Sequence, residues 1–174
     1  MPGTITAPTS TLTAPTGGTS ATSAAATTGA GTATGTTAGA ARRRIATVLT
    51  VLIALGIGYV GVSYLFAPES TVSGFGLPEW PHGEAAAFFS IKGIRDLVTG
   101  IAPLVLLATG QRRALGWLLL VEALIPLDDA VTVLTHHGST AAALGIHGAT
   151  AVLVAATAAL LLTEHRTTPR VPAA

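Results

Sequence analysis

The sequence predicts an all-α integral membrane protein: a four-helix up-down-up-down bundle that follows a disordered N-terminal tail. Two observations indicate this fold class. Of the 174 residues, 49% are hydrophobic and only 10% are charged, whereas about a quarter of the residues in an average soluble domain carry charge. The apolar residues also fall into four stretches, each long enough to cross a hydrocarbon layer of roughly 30 Å as a helix. We therefore expect a multi-pass protein of the cell membrane, with the lipid bilayer as its main partner.

Residues 1–41 form the predicted tail. They consist almost entirely of Thr, Ala, Gly, Ser and Pro, and they include no charged side chain. Such a segment cannot bury enough apolar surface to offset the entropy that is lost when it becomes ordered. We expect it to be disordered and to precede a transmembrane domain over residues 45–163.

The predicted transmembrane domain contains four spans, at about residues 45–67, 84–109, 114–135 and 141–163. The first span has no formal charge, and the third contains Pro126, at which we expect a kink. The connection over residues 68–83 is rich in Pro and Gly and is predicted to be a loop. The other two connections are short turns, which favour antiparallel neighbours. Residues 164–174 are expected to form a short cytoplasmic tail.

The placement of arginine indicates that both termini are cytoplasmic. With four spans, one side of the membrane receives Arg42, Arg43, Arg44, Arg112, Arg113, Arg166 and Arg170. The connections at 68–83 and 136–140 contain neither Lys nor Arg. Cytoplasmic loops carry the excess of basic residues. A three-span topology would place Arg112 and Arg113 opposite the first arginine run, so charge supports four spans independently of hydropathy.

Ionisable side chains within the spans form the candidate ligand- or ion-binding site: Lys92, Arg95, Asp96, Glu122, Asp128, Asp129 and His147. A charge at the bilayer centre costs about 2.5–3.5 kcal/mol, so these groups should face inward and meet partners. Counting along the helices places Lys92, Asp128, Asp129 and His147 in one layer, with the other three beneath it.

This charged layer supports two hypotheses of different class. Two cations face four carboxyl groups within the spans, so the first hypothesis is a non-enzymatic protein that binds a small polar or ionic ligand or relays protons. The alternative is a structural or accessory membrane subunit, in which an interhelical ion-pair network fixes helix register and Arg95 pairs with a carboxylate of the third span. Either could operate within a homo-oligomer or a larger membrane complex.

Other function classes find no support in the sequence. The chain has no cysteine, which excludes disulfides and Cys-ligated metal centres. The net charge of +1 does not indicate a nucleic-acid partner. His136 and His137 lie in a turn and lack further ligands, and no catalytic signature is present. We therefore expect no enzymatic activity, no catalytic residues, no cofactor and no metal site.

Four short motifs carry a family resemblance: FFSIKGIRDLVTG at 88–100, GQRRALGW at 110–117, PLDDA at 126–130 and LGIHG at 144–148. Over residues 48–163 the chain resembles a family of uncharacterised small four-helix membrane proteins, a domain of unknown function that is distantly DoxX-like. The resemblance implies a four-helix membrane fold with a polar inner face. Through the DoxX likeness it also implies a weaker alternative function, a quinone-linked redox subunit, although the chain has no cysteine and no evident haem-ligand pair.

Overall fold

A computed structural model describes the backbone of residues 30–164 and the side chains from residue 37 onward. Within this part of the chain every regular element is helical and none is a strand, which confirms the all-α class. The elements are α1 (Ala30–Phe66), α2 (Pro68–Ser73), a 3-10 turn (Gly83–Ala86), α3 (Ala87–Ala108), α4 (Arg112–Glu122), α5 (Leu124–Thr135), α6 (Thr140–Ala142), a π-helical segment (Ala143–Gly148) and α7 (Ala149–Leu162). Residues 1–29 of the predicted N-terminal tail and residues 165–174 of the predicted C-terminal tail lie outside the described residues.

Helix α1 begins before the predicted first span. The sequence placed residues 30–41 in the predicted tail, whereas in the structure these residues belong to α1. Alanine has the highest helix propensity and recurs in this stretch. Once the apolar part of α1 is helical, each further residue gains a hydrogen bond without a new nucleation step, which favours extension toward the N-terminus.

The sequence predicted a loop for the connection at 68–83, but the first part of this connection is helical. Pro68 begins helix α2, and Glu69 lies in its first turn. Proline fits the first helical turn because its missing N–H group would have no partner there, and a carboxylate at that end is stabilised by the helix dipole. Val72 of α2 is buried and packs with Tyr64 and Phe89.

The third predicted span consists of two helices. Helix α4 ends at Glu122, and α5 begins at Leu124. Pro126 has no N–H group to donate to the carbonyl oxygen of Glu122, and its ring crowds that carbonyl. The interruption at Ala123 lies three residues before Pro126, near the kink that the sequence predicts.

Glycine brings α1 and α3 into close contact. A Cβ atom on Gly61 would lie 2.5 Å from the backbone nitrogen of Leu97 and 2.7 Å from the carbonyl oxygen of Gly93. A Cβ atom on Gly100 would lie 2.7 Å from the carbonyl oxygen of Ala54. The two backbones therefore approach at a separation that a larger residue at these positions would not permit.

The other main packing surface joins α4 and α7. Its buried residues are Leu115, Leu119, Val154, Ala158 and Leu161, and Ala46 of α1 packs against the same cluster. Helix α1 therefore contacts both α3 and α7, and α3 contacts α4. Together these contacts enclose a space between α1, α3, α5 and the π-helical segment.

Arg112 connects three helices. Its Nε and Nη2 atoms each lie 2.6 Å from a carboxylate oxygen of Glu164, which follows α7. Its Nη1 atom donates to Oγ1 of Thr47 at 3.0 Å, and Nη2 also donates to the carbonyl oxygen of Arg43 at 3.2 Å. The hydrogen bond with Glu164 raises the pKa of the Arg112 guanidinium. The start of α4, the end of α7 and the middle of α1 are thus joined by a bidentate ion pair and its neighbours.

Two helical stretches are long and apolar enough to cross a membrane, Thr37–Phe66 and the continuous helix Thr140–Leu162. Helix α3 contains three charged residues, and α4 and α5 are each too short to cross alone. All of these helices nevertheless leave large apolar side chains exposed. On α3 they include Ile91, Ile94, Val98, Ile101 and Val105, and on α4 and α5 they include Trp117, Val121, Leu124, Leu127 and Val131.

Candidate functional site

A cavity of about 520 Å³ lies between the helices. Its wall includes residues of α1, α3, α5, the π-helical segment and the connection after α1, together with the last residue of α4. Five of the seven candidate residues line it: Lys92, Asp96, Glu122, Asp129 and His147. The structure therefore brings together most of the ionisable groups that the sequence singled out.

Arg95 and Asp128 lie outside this cavity, and both residues are exposed. The sequence had placed Asp128 in the same layer as Lys92 and had expected Arg95 to pair with a carboxylate of the third span. Within the described part of the chain, however, Arg95 makes no ion pair and no hydrogen bond. Consecutive helical residues differ by about 100°, so when Asp96 and Asp129 face inward their preceding neighbours are turned outward.

Lys92 lies among aromatic rings at one end of the cavity. Its ammonium nitrogen is 5.3 Å from the ring centre of Tyr64 and 5.5 Å from that of Phe75. Both distances suit a cation–π contact. The same nitrogen lies 3.0 Å from Oδ2 of Asp96, one helical turn along α3. The i, i+4 spacing of Lys92 and Asp96 was visible in the sequence. The approach of the two rings to Lys92 was not, because the rings come from α1 and from the connection after it.

Asp96 is only 4% exposed. Its buried Oδ2 atom lies 3.0 Å from the Lys92 ammonium and has no other partner within the described residues. A buried acceptor that loses its partner costs about 1–3 kcal/mol. Asp96 therefore depends on Lys92 for its compensation.

His147 bridges the cavity wall and the connection after α1. Its Nε2 atom lies 2.9 Å from the carbonyl oxygen of Phe75. A carbonyl oxygen only accepts, so Nε2 carries the proton. The other nitrogen, Nδ1, faces Oδ2 of Asp129 at 3.8 Å. An imidazole lone pair repels a carboxylate, so His147 and Asp129 attract each other only when they hold a further proton between them.

The position of His147 depends on the π-helical segment Ala143–Gly148. The wider turn interrupts the helix that starts at Thr140, and π-helical turns in proteins frequently occur at functional sites. Sequence reasoning missed this segment. The sequence feature that marks this region is the presence of Gly145 and Gly148 on either side of His147.

Residues 68–76 cover the cavity at the end where α1 stops, and we call them the cover segment. Thr71, Gly74 and Phe75 of this segment line the cavity. The carbonyl oxygen of Gly76 accepts a hydrogen bond of 2.8 Å from the backbone N–H group of Ser139. Gly76 has φ of 102°, and a Cβ atom there would lie 2.6 Å from Cβ of Ala142. The cover segment is therefore attached both to the turn before α6 and to His147.

The rest of the cavity wall is mainly aliphatic, including Ile53, Ile57, Val60, Ile125 and Leu153. Ligand sites typically combine such a wall with a few convergent polar groups. Across residues 37–164, no three His, Asp or Glu side chains come close enough together to hold a metal ion. The arrangement is suited to hold an organic molecule with a polar group.

Comparisons with known proteins identify the family of this chain. No curated protein and no solved structure matches it. A family model does match residues 54–161, which include all five ionisable residues of the cavity wall. This range covers more than half of the 174 residues. The chain therefore belongs to the family described as a domain of unknown function (DUF4267).

Proposed function

We propose that this protein is a non-enzymatic, multi-pass membrane protein that binds a small molecule in the cavity between its helices. The observation that carries the proposal is the convergence of five ionisable side chains on one otherwise apolar cavity. Polar groups in membrane helices are costly, and they are usually kept because they bind or transport something.

The geometry favours binding over the structural alternative. In a network that only fixes helix register, charges on neighbouring helices would contact one another directly. Here the Lys92–Asp96 pair lies within α3, and the single ion pair between helices in the described charged layer is the 3.8 Å contact of His147 with Asp129. Much of the space between the charged groups is cavity rather than contact.

The proposal includes four membrane spans: α1, α3, α4 together with α5, and the helix Thr140–Leu162. Two of them meet the length and hydropathy expected of a span. In the other two, Lys92, Asp96, Glu122 and Asp129 line the cavity, and many apolar side chains are exposed. The exposed apolar side chains suit contact with lipid, whereas the exposed charges Arg95 and Asp128 would need a polar partner or a position near the membrane surface. The arginine placement further supports cytoplasmic termini.

Cysteine labelling tests the membrane topology. The natural chain has no cysteine, so single substitutions give an unambiguous signal. Glu79 and Gln111 are both exposed. In intact cells, a membrane-impermeant maleimide should label Glu79→Cys, whereas Gln111→Cys should react only after lysis. Labelling of Gln111→Cys in intact cells would contradict the four-span topology.

A cavity-filling variant tests binding. Gly56 lines the cavity, and a Cβ atom there would meet nothing within 4 Å. A phenylalanine at this position should therefore occupy the cavity without displacing other atoms. Its neighbour Leu55 is 58% exposed and outside the cavity, so Leu55→Phe is the matched control.

The readout is the organic extract of the gently purified protein, measured by mass spectrometry. We expect a compound that copurifies with the unmodified protein and with Leu55→Phe, and that is depleted in Gly56→Phe. Equal amounts in all three proteins, or no compound in any, would contradict the binding function.

A further inference from the structure

The charges that line the cavity do not balance. Lys92 is the one Lys or Arg in its wall, and the carboxyl groups are Asp96, Glu122 and Asp129. The ammonium of Lys92 lies against Asp96. Glu122 has no ion-pair partner among the residues of the described chain, and the one such contact of Asp129 there is the 3.8 Å approach to the imidazole of His147. The exposed Arg95 is not part of this wall. The cavity is therefore acidic.

The unbalanced charge belongs to Glu122 and Asp129. Asp96 is 4% exposed, and its Oδ2 atom already lies 3.0 Å from the Lys92 ammonium. A ligand with N–H bonds and a positive charge would supply the missing charge and would donate to the other carboxyl groups of the wall. A carboxylate ligand would do neither, because it would add a like charge beside existing acceptors.

Lys92 is already provided with partners. Its ammonium lies over the rings of Tyr64 and Phe75 and against Asp96, which leaves Glu122 and Asp129 for a ligand. The aliphatic residues of α1 and α5 provide a surface for a hydrocarbon portion. The wall thus has an apolar region for the body of a ligand and an acidic region for its charged group.

From these observations we propose that the ligand is a hydrophobic organic cation, such as an alkylamine, whose ammonium group lies between Glu122 and Asp129. This inference rests on the proposed binding function and specifies its ligand class. It separates organic cations from fatty-acid-like anions and from neutral alcohols of the same length.

Three probes that have the same number of carbon atoms but different polar groups test the ligand class: octylammonium, octanol and octanoate. Each is titrated into the detergent-purified full chain, and the midpoint of thermal unfolding is measured. A ligand that binds the folded state raises this midpoint with concentration. We expect octylammonium to raise it and the other two probes to leave it unchanged.

Adjacent carboxyl groups provide matched variants. Asp129 lines the cavity, whereas Asp128 is exposed and lies outside it. Asp129→Asn should weaken the apparent affinity for octylammonium by about tenfold, because a charge-assisted contact is lost. Asp128→Asn should leave it unchanged. If Asp129→Asn does not fold, Glu122→Gln provides a second loss of cavity charge with the same expected direction.

The outcomes distinguish this inference from the proposed function. The cationic class is supported if octylammonium alone shifts the midpoint, and if Asp129→Asn weakens this shift while Asp128→Asn preserves it. Equal shifts with octanol or octanoate overturn that class, and so does an equal effect of the two Asn variants. If no probe shifts the midpoint but a compound copurifies and is displaced by Gly56→Phe, the cationic class fails and the binding function stands. Absence of both signals overturns both.

Discussion

The imidazole Nε2 atom of His147 lies 2.9 Å from the carbonyl oxygen of Phe75, 72 residues earlier in the chain. Through this hydrogen bond, one side chain joins the π-helical segment to the cover segment over the cavity. The ring of Phe75 also packs against the imidazole, with the ring centres 4.6 Å apart. The cover segment and the ionisable layer are therefore mechanically connected.

Loss of this hydrogen bond should loosen the cover segment. In a chain that carries Val72→Cys as its single cysteine, the buried position should react slowly with a maleimide. Adding His147→Leu removes the donor to Phe75, so we expect the labelling rate to rise several-fold, because one hydrogen bond is worth about 0.5–1.5 kcal/mol. His136→Leu, at an exposed histidine, is the control and should leave the rate unchanged. An equal rise in both variants would contradict the anchoring role.

The bidentate pair of Arg112 and Glu164 should contribute measurably to stability. Both side chains are mostly buried, at 13% and 17% exposed, and their hydrogen bonds are charge-assisted. We expect Glu164→Gln to lower the free energy of unfolding by about 1–3 kcal/mol, measured by denaturation in detergent. The neighbouring Arg113 is exposed, so Arg113→Gln should stay within about 0.5 kcal/mol of the unmodified protein. A larger loss from Arg113→Gln than from Glu164→Gln would refute the assignment.

Two glycines of α1 should respond oppositely to alanine. A Cβ atom on Gly61 would overlap backbone atoms of α3, whereas one on Gly58 would meet nothing within 4 Å. We expect Gly61→Ala to destabilise the protein by about 1–3 kcal/mol through overpacking. Gly58→Ala should be neutral or slightly stabilising, because alanine has the higher helix propensity. Thermal unfolding of the two variants side by side provides the measurement, and equal loss in both would show that α1 and α3 do not approach as described.

Arg95 and Lys92 should differ in their effect on stability although both are cations of α3. Arg95 has no ion-pair partner within the described residues, so Arg95→Gln should change the free energy of unfolding by less than about 0.5 kcal/mol. Lys92→Met should cost about 1–3 kcal/mol, because it leaves Asp96 buried without its cation. A large loss from Arg95→Gln would instead support the structural ion-pair network that the sequence suggested.

The sequence was a good guide to which residues matter and a poorer guide to where they point. Spacing identified the inward face of Asp96, but Lys92, Arg95 and Asp96 span about 100° of helix surface, so one of them could turn outward without disturbing the pattern. The pairing of Asp128 with Asp129 had the same ambiguity. For α3, the residue that faces inward depends on how this helix is rotated against α1, and the close glycine contacts between the two helices fix that rotation.

Other features lay beyond sequence reasoning because they depend on distant contacts. The approach of Phe75 to Lys92 and His147 needs the cover segment to fold back over the cavity, with Gly76 attached to Ser139. The start of α1 at Ala30, by contrast, depends on local helix formation. An alanine-containing stretch of low hydrophobicity extends an existing helix there. Composition alone favoured a tail there.

The π-helical segment has a consequence for the whole helix from Thr140 to Leu162. A wider turn is equivalent to one residue inserted into a regular α-helix, and one residue changes the facing direction by about 100°. His147 lies within the π-helical segment and lines the cavity, and α7, which follows this segment, directs Val154, Ala158 and Leu161 toward α4. The extra residue thus sets the rotation of α7 relative to the helical turns before it. As a result, His147 and the residues that pack against α4 both face inward. Deleting a single residue between them would force the chain to give up one of the two.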